Sequence, residues 1–92
     1  MDDEEPVVLA SALKRTRDRV TEDNLLHAYA HQVGSVIDER HPDGPMIIFV
    51  GPSTSGMVML EVGIPARDWH GLTVLTHGMK ARPWILREVG LD

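Results

Sequence analysis

The sequence predicts an α+β domain with two N-terminal helices, an antiparallel meander of three to four strands, and a short C-terminal helix. Two observations lead to this prediction. Apolar residues recur at helical spacing in the first third of the chain, and dense apolar runs separated by turn residues follow in the middle. Runs joined by short connections are typical of antiparallel strands, and we expect the helices to pack on one face of that sheet.

Three helices are expected from residue spacing and capping signals. The first covers Val7–Arg17, where apolar side chains fall on one side. The second covers Glu22–Val33, because Thr21 is a suitable N-cap with acidic residues after it, and Gly34 is a typical helix stop. The third is the short C-terminal helix, Trp84–Val89.

The strands are predicted from apolar runs bounded by turn residues. A short strand covers Ser35–Glu39, and longer ones cover Met46–Val50, Met57–Ile64 and Leu72–His77. The segment Gly51–Gly56 lies between two of these strands. It lacks the GKS/T ending of a phosphate-binding loop and does not precede a helix, so we interpret it as a hairpin loop.

Composition limits the size and class of the protein. The 92 residues leave room for one domain, which we place at residues 7–92 after a disordered acidic tail at residues 1–6. Beyond that tail, 9 basic and 10 acidic side chains remain, and this near-neutral body argues against a general, non-specific nucleic-acid binder. The chain has no cysteine, an acidic start and no apolar run near the roughly 20 residues that span a bilayer. We therefore expect a cytoplasmic protein without membrane contact.

Basic and titratable side chains gather after the last predicted strand, at His77, Lys80, Arg82 and Arg87. Cleavage of RNA needs a group that activates the 2′-hydroxyl, cations that neutralise charge on the phosphate, and an acid for the leaving oxygen. A histidine with a lysine and an arginine supplies these roles. We therefore predict His77 as the catalytic acid/base, with Lys80 and Arg82 stabilising the transition state.

A second basic group lies near the end of the first predicted helix, where Lys14 and Arg15 begin a basic run. Such a run is able to contact phosphates, although cations are also common at helix ends because they favour the helix dipole. We predict Lys14 and Arg15 as peripheral RNA contacts and Arg87 as a phosphate contact from the last helix.

A metal site is a weaker hypothesis. His27 and His31 are four residues apart, so both project from one face of a helix, and His77 would make a third ligand. The chain offers no cysteine ligand and no HExxH motif. We therefore expect neither a bound metal nor a cofactor.

Three stretches carry a likeness to a known family. They are RVTEDNLLHA at 19–28; a hairpin made of IFVGPS at 48–53, Gly56 and MLEV at 59–62; and VLTHGMKARP at 74–83. Together they resemble the BrnT-like toxins, small members of the RelE ribonuclease superfamily in bacterial toxin–antitoxin systems. The last stretch is the most specific, since it is similar to the H-A-M-x-x-R-P string of actinobacterial relatives.

The resemblance implies an RNA-cleaving toxin that is silenced by an antitoxin protein. Its implied substrate is RNA, including ribosome-associated mRNA, and its implied assembly is a homodimer or a toxin–antitoxin hetero-oligomer. The alternative is a non-catalytic protein-binding module of the same fold, with the methionine-rich strand Met57–Leu60 in the partner face. The acidic tail and the low count of basic residues favour this alternative.

Overall fold

The computed structural model of the chain describes residues 6–14, 20–66 and 71–91. A 3-10 helix at Ala10–Leu13 precedes the first α-helix. The α-helices are α1 (Glu22–Ala30) and α2 (Pro83–Glu88). The strands are β1 (Val7–Val8), β2 (Gly34–Asp38), β3 (Met46–Pro52), β4 (Met59–Pro65), β5 (Val74–Leu75) and β6 (His77–Lys80).

The central feature is a four-stranded antiparallel sheet in the order β2-β3-β4-β6. The predicted α+β class and antiparallel sheet are therefore confirmed. The last predicted strand, Leu72–His77, is divided at Thr76. Its first part, β5, pairs in parallel with β1, whereas β6 joins the main sheet beside β4.

The predicted N-terminal helix over Val7–Arg17 is wrong. Val7 and Val8 form a strand beside β5, with the Val7 N–H donating to Thr73 O at 2.8 Å. Consecutive β-branched residues favour this extended pairing over a helix. Within residues 7–14, only the 3-10 turn at Ala10–Leu13 is helical, and residues 15–17 lie outside the described ranges.

Helix α1 begins where the sequence predicts. The Thr21 side chain accepts a hydrogen bond from the Asn24 N–H at 3.2 Å, which caps the first turn. The helix ends at Ala30, three residues before the predicted end, because the chain has already turned towards the sheet. The Val33 N–H donates to Val50 O at 2.7 Å, and Gly34 begins β2 instead of stopping the helix.

Apolar residues cover both faces of the sheet, so the expectation of helices on one face is wrong. One face packs with α1 and the 3-10 helix through buried residues that include Leu25, Leu60 and Val62. The other face packs with α2 through Ile48, Ile85 and their neighbours. Successive strand residues point to opposite faces, so a strand between two apolar layers is apolar throughout. The sheet therefore forms the middle layer.

Close contact between α1 and β3 depends on Gly51. A Cβ atom at this position would overlap Ala28 O, a main-chain atom of α1. No helix in the described part of the chain is long and apolar enough to cross a membrane.

Candidate functional site

A carboxylate is buried in the middle of the sheet. Glu61 lies on β4 between apolar neighbours, and its side chain is 0% exposed. It points towards the α2 face, opposite Val50 and Met79 in the strand register. Burying a carboxylate is costly unless its charge is balanced and its lone pairs accept hydrogen bonds. The groups around Glu61 must therefore supply a positive charge and hydrogen-bond donors.

Arg82 supplies most of the hydrogen bonds to this carboxylate. Its main-chain N–H donates to Glu61 Oε1 at 2.9 Å, Nε lies 3.1 Å from both oxygens, and Nη2 donates to Oε2 at 2.7 Å. Arg82 precedes Pro83, which favours the extended backbone (φ −74°, ψ 151°) observed there. The arginine side chain also lies 5.5 Å from the Trp84 ring.

These contacts fix the charge state of the pair. Burial acts to raise the pKa of the Glu61 carboxyl, but hydrogen bonds from His77 and Arg82 outweigh it, and the pKa lies below its ordinary value. The hydrogen bond to Glu61 raises the pKa of Arg82. Glu61 is therefore an anion at neutral pH and Arg82 a cation.

His77 is the third member of the cluster. Its Nε2 lies 2.8 Å from Glu61 Oε2, and the side chain is 13% exposed. His77 is opposite Gly63 in the register between β4 and β6. A Cβ atom at Gly63 would lie 2.9 Å from His77 Cβ, so the glycine gives the imidazole room to approach the carboxylate.

His41, in the turn between β2 and β3, extends the cluster to a second imidazole. Its Nδ1 accepts a hydrogen bond from the Asp43 main-chain N–H at 3.1 Å, and its Nε2 lies 3.3 Å from His77 Nδ1. A backbone N–H only donates, so in neutral His41 the proton must be on Nε2. His41 then donates to His77, and His77 donates through Nε2 to Glu61. One proton arrangement satisfies the whole chain of hydrogen bonds.

Electrostatics favour neutral His41. Burial lowers the pKa of His41, and the nearby His77 lowers it further. Asp38 adds a second carboxylate near Arg82, with Oδ2 at 3.5 Å from Nη2. The single guanidinium therefore faces two carboxylates, and little of its positive charge is left uncompensated for a ligand.

A cleft of about 610 Å³ opens beside the two imidazoles. Its lining includes His41, His77, Arg82, Ser11, Lys14 and Asp43. Within the described part of the chain, Lys14 has no carboxylate partner and is exposed. Lys14 is therefore a cation of this cleft that forms no ion pair there, although the Asp43 carboxylate also lines the cleft.

The structure brings three of the predicted site residues together: Lys14, His77 and Arg82. Lys80 is exposed and belongs to the opposite face of β6, because it alternates with His77 and Met79 along the strand. Arg87 is exposed in the last turn of α2 and does not line the cleft. Arg15 lies outside the described residues.

The three histidines considered as metal ligands are not brought together at one site. The His27 and His31 rings stack with centroids 4.1 Å apart, and each Nδ1 is 3.0 Å from a main-chain oxygen. His77 belongs to the Glu61 cluster instead. Among residues 6–14, 20–66 and 71–91, no group of three potential ligand side chains is placed to hold a metal ion.

Sequence reasoning missed Glu61, His41 and Asp38. Glu61 carries a usable signal, since it is the one acidic residue in the predicted strand Met57–Ile64. An acid there must either face solvent or have a specific partner. His41 and Asp38 lie in and before a turn, where polar residues are ordinary, and nothing in their local sequence points to a site.

Comparisons with known proteins add no relative: no protein-family model, no curated protein and no solved structure matches this chain.

Proposed function

We propose that this protein is an RNA-cleaving toxin, an endoribonuclease that needs no metal ion for its chemistry. The observation that supports this function best is the position of His77. One ring nitrogen is held by the buried Glu61 carboxylate, and the other faces His41 at the wall of the cleft. A carboxylate behind an imidazole fixes its tautomer and stabilises the imidazolium that forms when it accepts a proton.

In the proposed reaction, the 2′-hydroxyl of RNA displaces His41 from His77 Nδ1. His77 takes the hydroxyl proton while the 2′-oxygen attacks phosphorus. The bond from phosphorus to the 5′-oxygen breaks, and that oxygen takes a proton from water in the cleft, to which His77 then returns the proton that it accepted. The products are a 2′,3′-cyclic phosphate and a 5′-hydroxyl, so atoms and protons balance without an added co-reactant.

Lys14 is the proposed phosphate contact. Lys14 forms no ion pair among the described residues, whereas the charge of Arg82 is shared between Glu61 and Asp38. In this proposal Arg82 mainly positions the Glu61 carboxylate, and Lys14 neutralises charge that develops on the phosphate. As the resemblance to BrnT-like toxins implies, the toxin acts in the cytoplasm and is neutralised by an antitoxin protein.

A non-catalytic protein-binding module remains the second candidate because apolar side chains are exposed along one edge of the sheet. On and before the edge strand β2, Ile37 is 61% exposed and Val33 is 55% exposed. The partner face expected at Met57–Leu60 is only partly available. Met57 is 83% exposed, but Leu60 is fully buried.

The test is cleavage of end-labelled RNA by purified protein, with and without EDTA, together with growth on induction. We expect metal-independent cleavage that falls by about 10²-fold or more in His77→Gln, since general acid–base catalysis contributes about that much. Lys14→Ala is expected to lose activity, whereas Lys80→Ala, on the other face of β6, is the matched lysine control. His31→Gln is the histidine control, because that ring lies on α1 away from the cleft.

Two results would contradict the proposal. One is an intact, folded wild-type protein that leaves RNA uncut and growth unaffected; that result favours the protein-binding module. The other is cleavage by His77→Gln at the wild-type rate. Circular dichroism of each variant separates loss of chemistry from loss of fold.

A further inference from the structure

A second cavity adjoins the cleft. It has a volume of about 730 Å³, and its walls include Pro45, Met46 and Pro65. It shares Lys14 and Thr76 with the cleft, so the two spaces meet along those side chains. Its size is typical of a small-molecule site, and its lining combines apolar side chains with the polar side chains of Ser11, Lys14, Asp43 and Thr76.

Thr76 carries the evidence for a ligand in this cavity. Its Oγ1 is buried and has no hydrogen-bond partner among the described residues. The main-chain groups of Thr76 are both satisfied: its N–H donates to Gly63 O at 3.0 Å, and its carbonyl accepts from Ser11 Oγ at 2.9 Å. A buried hydroxyl without a partner is unfavourable, and rotation of the Thr76 side chain towards the cavity would let a bound polar ligand satisfy it.

We propose that this cavity binds the base of a nucleotide whose phosphate lies beside Lys14 at the boundary with the cleft. The proline, methionine and alanine walls suit the apolar faces of a flat ring, and the Thr76 hydroxyl suits its polar edge. Asp43 also lines both spaces, and its carboxylate is 74% exposed. A carboxylate only accepts hydrogen bonds, so Asp43, placed against position 4 of a pyrimidine, accepts from the exocyclic amine of cytosine and repels the O4 carbonyl of uracil.

This inference rests on the proposed function in taking RNA as the natural ligand. It adds a preference for the base that precedes the cleaved bond. The base that enters the cavity belongs to the nucleotide whose 2′-hydroxyl reaches His77. Cleavage is then faster after cytosine than after uracil, because uracil presents a carbonyl oxygen to Asp43 where cytosine presents an amine.

The experiment measures binding of cytidine 3′-monophosphate, uridine 3′-monophosphate and inorganic phosphate to the whole chain by NMR titration. None of these ligands contains a cleavable bond, so binding is measured apart from chemistry. We expect the cytidine nucleotide to bind about 10-fold more tightly than the uridine nucleotide, and inorganic phosphate to bind more weakly than both.

Variants of Thr76 and Asp43 test whether the nucleotide binds in this cavity. Thr76→Val keeps the side-chain volume but removes the hydroxyl, and it is expected to weaken cytidine nucleotide binding by about 5- to 10-fold. Asp43→Asn is expected to reduce the preference for cytidine over uridine. Thr54→Val, in the exposed β3–β4 turn, is the control that should bind as wild type.

Unchanged binding in Thr76→Val, or inorganic phosphate binding as tightly as the nucleotides, would overturn the inference. A wild-type protein that binds the cytidine nucleotide but never cleaves RNA overturns the proposed function and leaves this site standing. Cleavage of RNA without any base preference would overturn the base site and leave the proposed function standing.

Discussion

Arg82 places three donor groups on the two oxygens of Glu61, and the Glu61 side chain is fully buried. The arginine side chain is 32% exposed, so water reaches one partner and not the other. This asymmetry means that the two partners are not equally able to tolerate loss of the pair. Loss of Arg82 should therefore destabilise the protein more than loss of the Glu61 charge.

The first prediction concerns the stability of the pair. Arg82→Met leaves a buried carboxylate without its cation, which typically costs about 3 kcal/mol or more. Glu61→Gln is expected to cost less, because Arg82 keeps its contact with Asp38 and with solvent. The measurement is the free energy of unfolding in urea at neutral pH.

Arg87→Met is the matched control for Arg82→Met, because Arg87 is exposed in α2 and such surface changes stay within about 0.5 kcal/mol. A second readout separates charge from packing. Without Arg82, burial of Glu61 is opposed only by the hydrogen bond from His77, so the pKa of Glu61 is expected to rise, and acid should lower the stability of Arg82→Met less than that of wild type. Equal losses in both arginine variants would contradict the argument.

The second prediction concerns the contact between Gly63 and His77. Gly63→Ala forces the new Cβ against His77 Cβ and the Met46 side chain. Met46 has a flexible end that is able to move, but the His77 Cβ is fixed by the β6 backbone, so the imidazole must shift from Glu61. We expect a stability loss of about 1–3 kcal/mol from overpacking. The histidine ring signals should shift in NMR spectra, and unchanged signals would show that Gly63 does not set the ring position.

The third prediction is a pH dependence that arises from His41. Its pKa is lowered from 6.5 in the folded protein, first by burial and then by His77. As pH falls through about 6.5, the unfolded chain therefore takes up a proton before the folded protein does, and stability decreases until the folded pKa is passed. This stability is fully present above the unfolded pKa.

The test compares urea unfolding between about pH 7.5 and about pH 5.5, above the range in which the lowered pKa of Glu61 has an effect. His41→Gln should flatten the slope that wild type shows in this range. His31→Gln, on the exposed side of α1, should keep it. A slope that survives in His41→Gln would assign the effect to another group.

The sheet and α1 were predictable because their signals are local. Alternating and continuous apolar runs mark β3 and β4, and the Thr21 cap marks the start of α1. The N-terminal segment was not predictable from spacing alone. Val7 and Val8 take their extended form from pairing with β5, more than 60 residues later in the chain, and no local pattern contains that partner.

The residues of the site also fall into those that a local sequence pattern indicates and those that it does not. His77 and Arg82 were predictable as chemical types in one short segment. Glu61, which holds both, lies 16 residues before His77 and 21 before Arg82, and His41 lies 36 residues before His77. Only strand pairing brings these groups together. The lone acid in an apolar strand was the available signal, and its meaning depended on partners that the sequence does not place.

The last prediction tests whether Glu61 acts through His77. Glu61→Gln keeps the shape of the side chain but removes the negative charge that stabilises a protonated His77. On the proposed mechanism, RNA cleavage falls by about 100-fold while RNA binding is unchanged, as expected for loss of support to a general base. Because both residues serve one proton transfer, the double variant with His77→Gln should be no slower than His77→Gln alone. Cleavage rates under single-turnover conditions measure this coupling. Losses that simply multiply would assign Glu61 a role separate from His77, and a full rate in Glu61→Gln would limit the buried carboxylate to holding the fold.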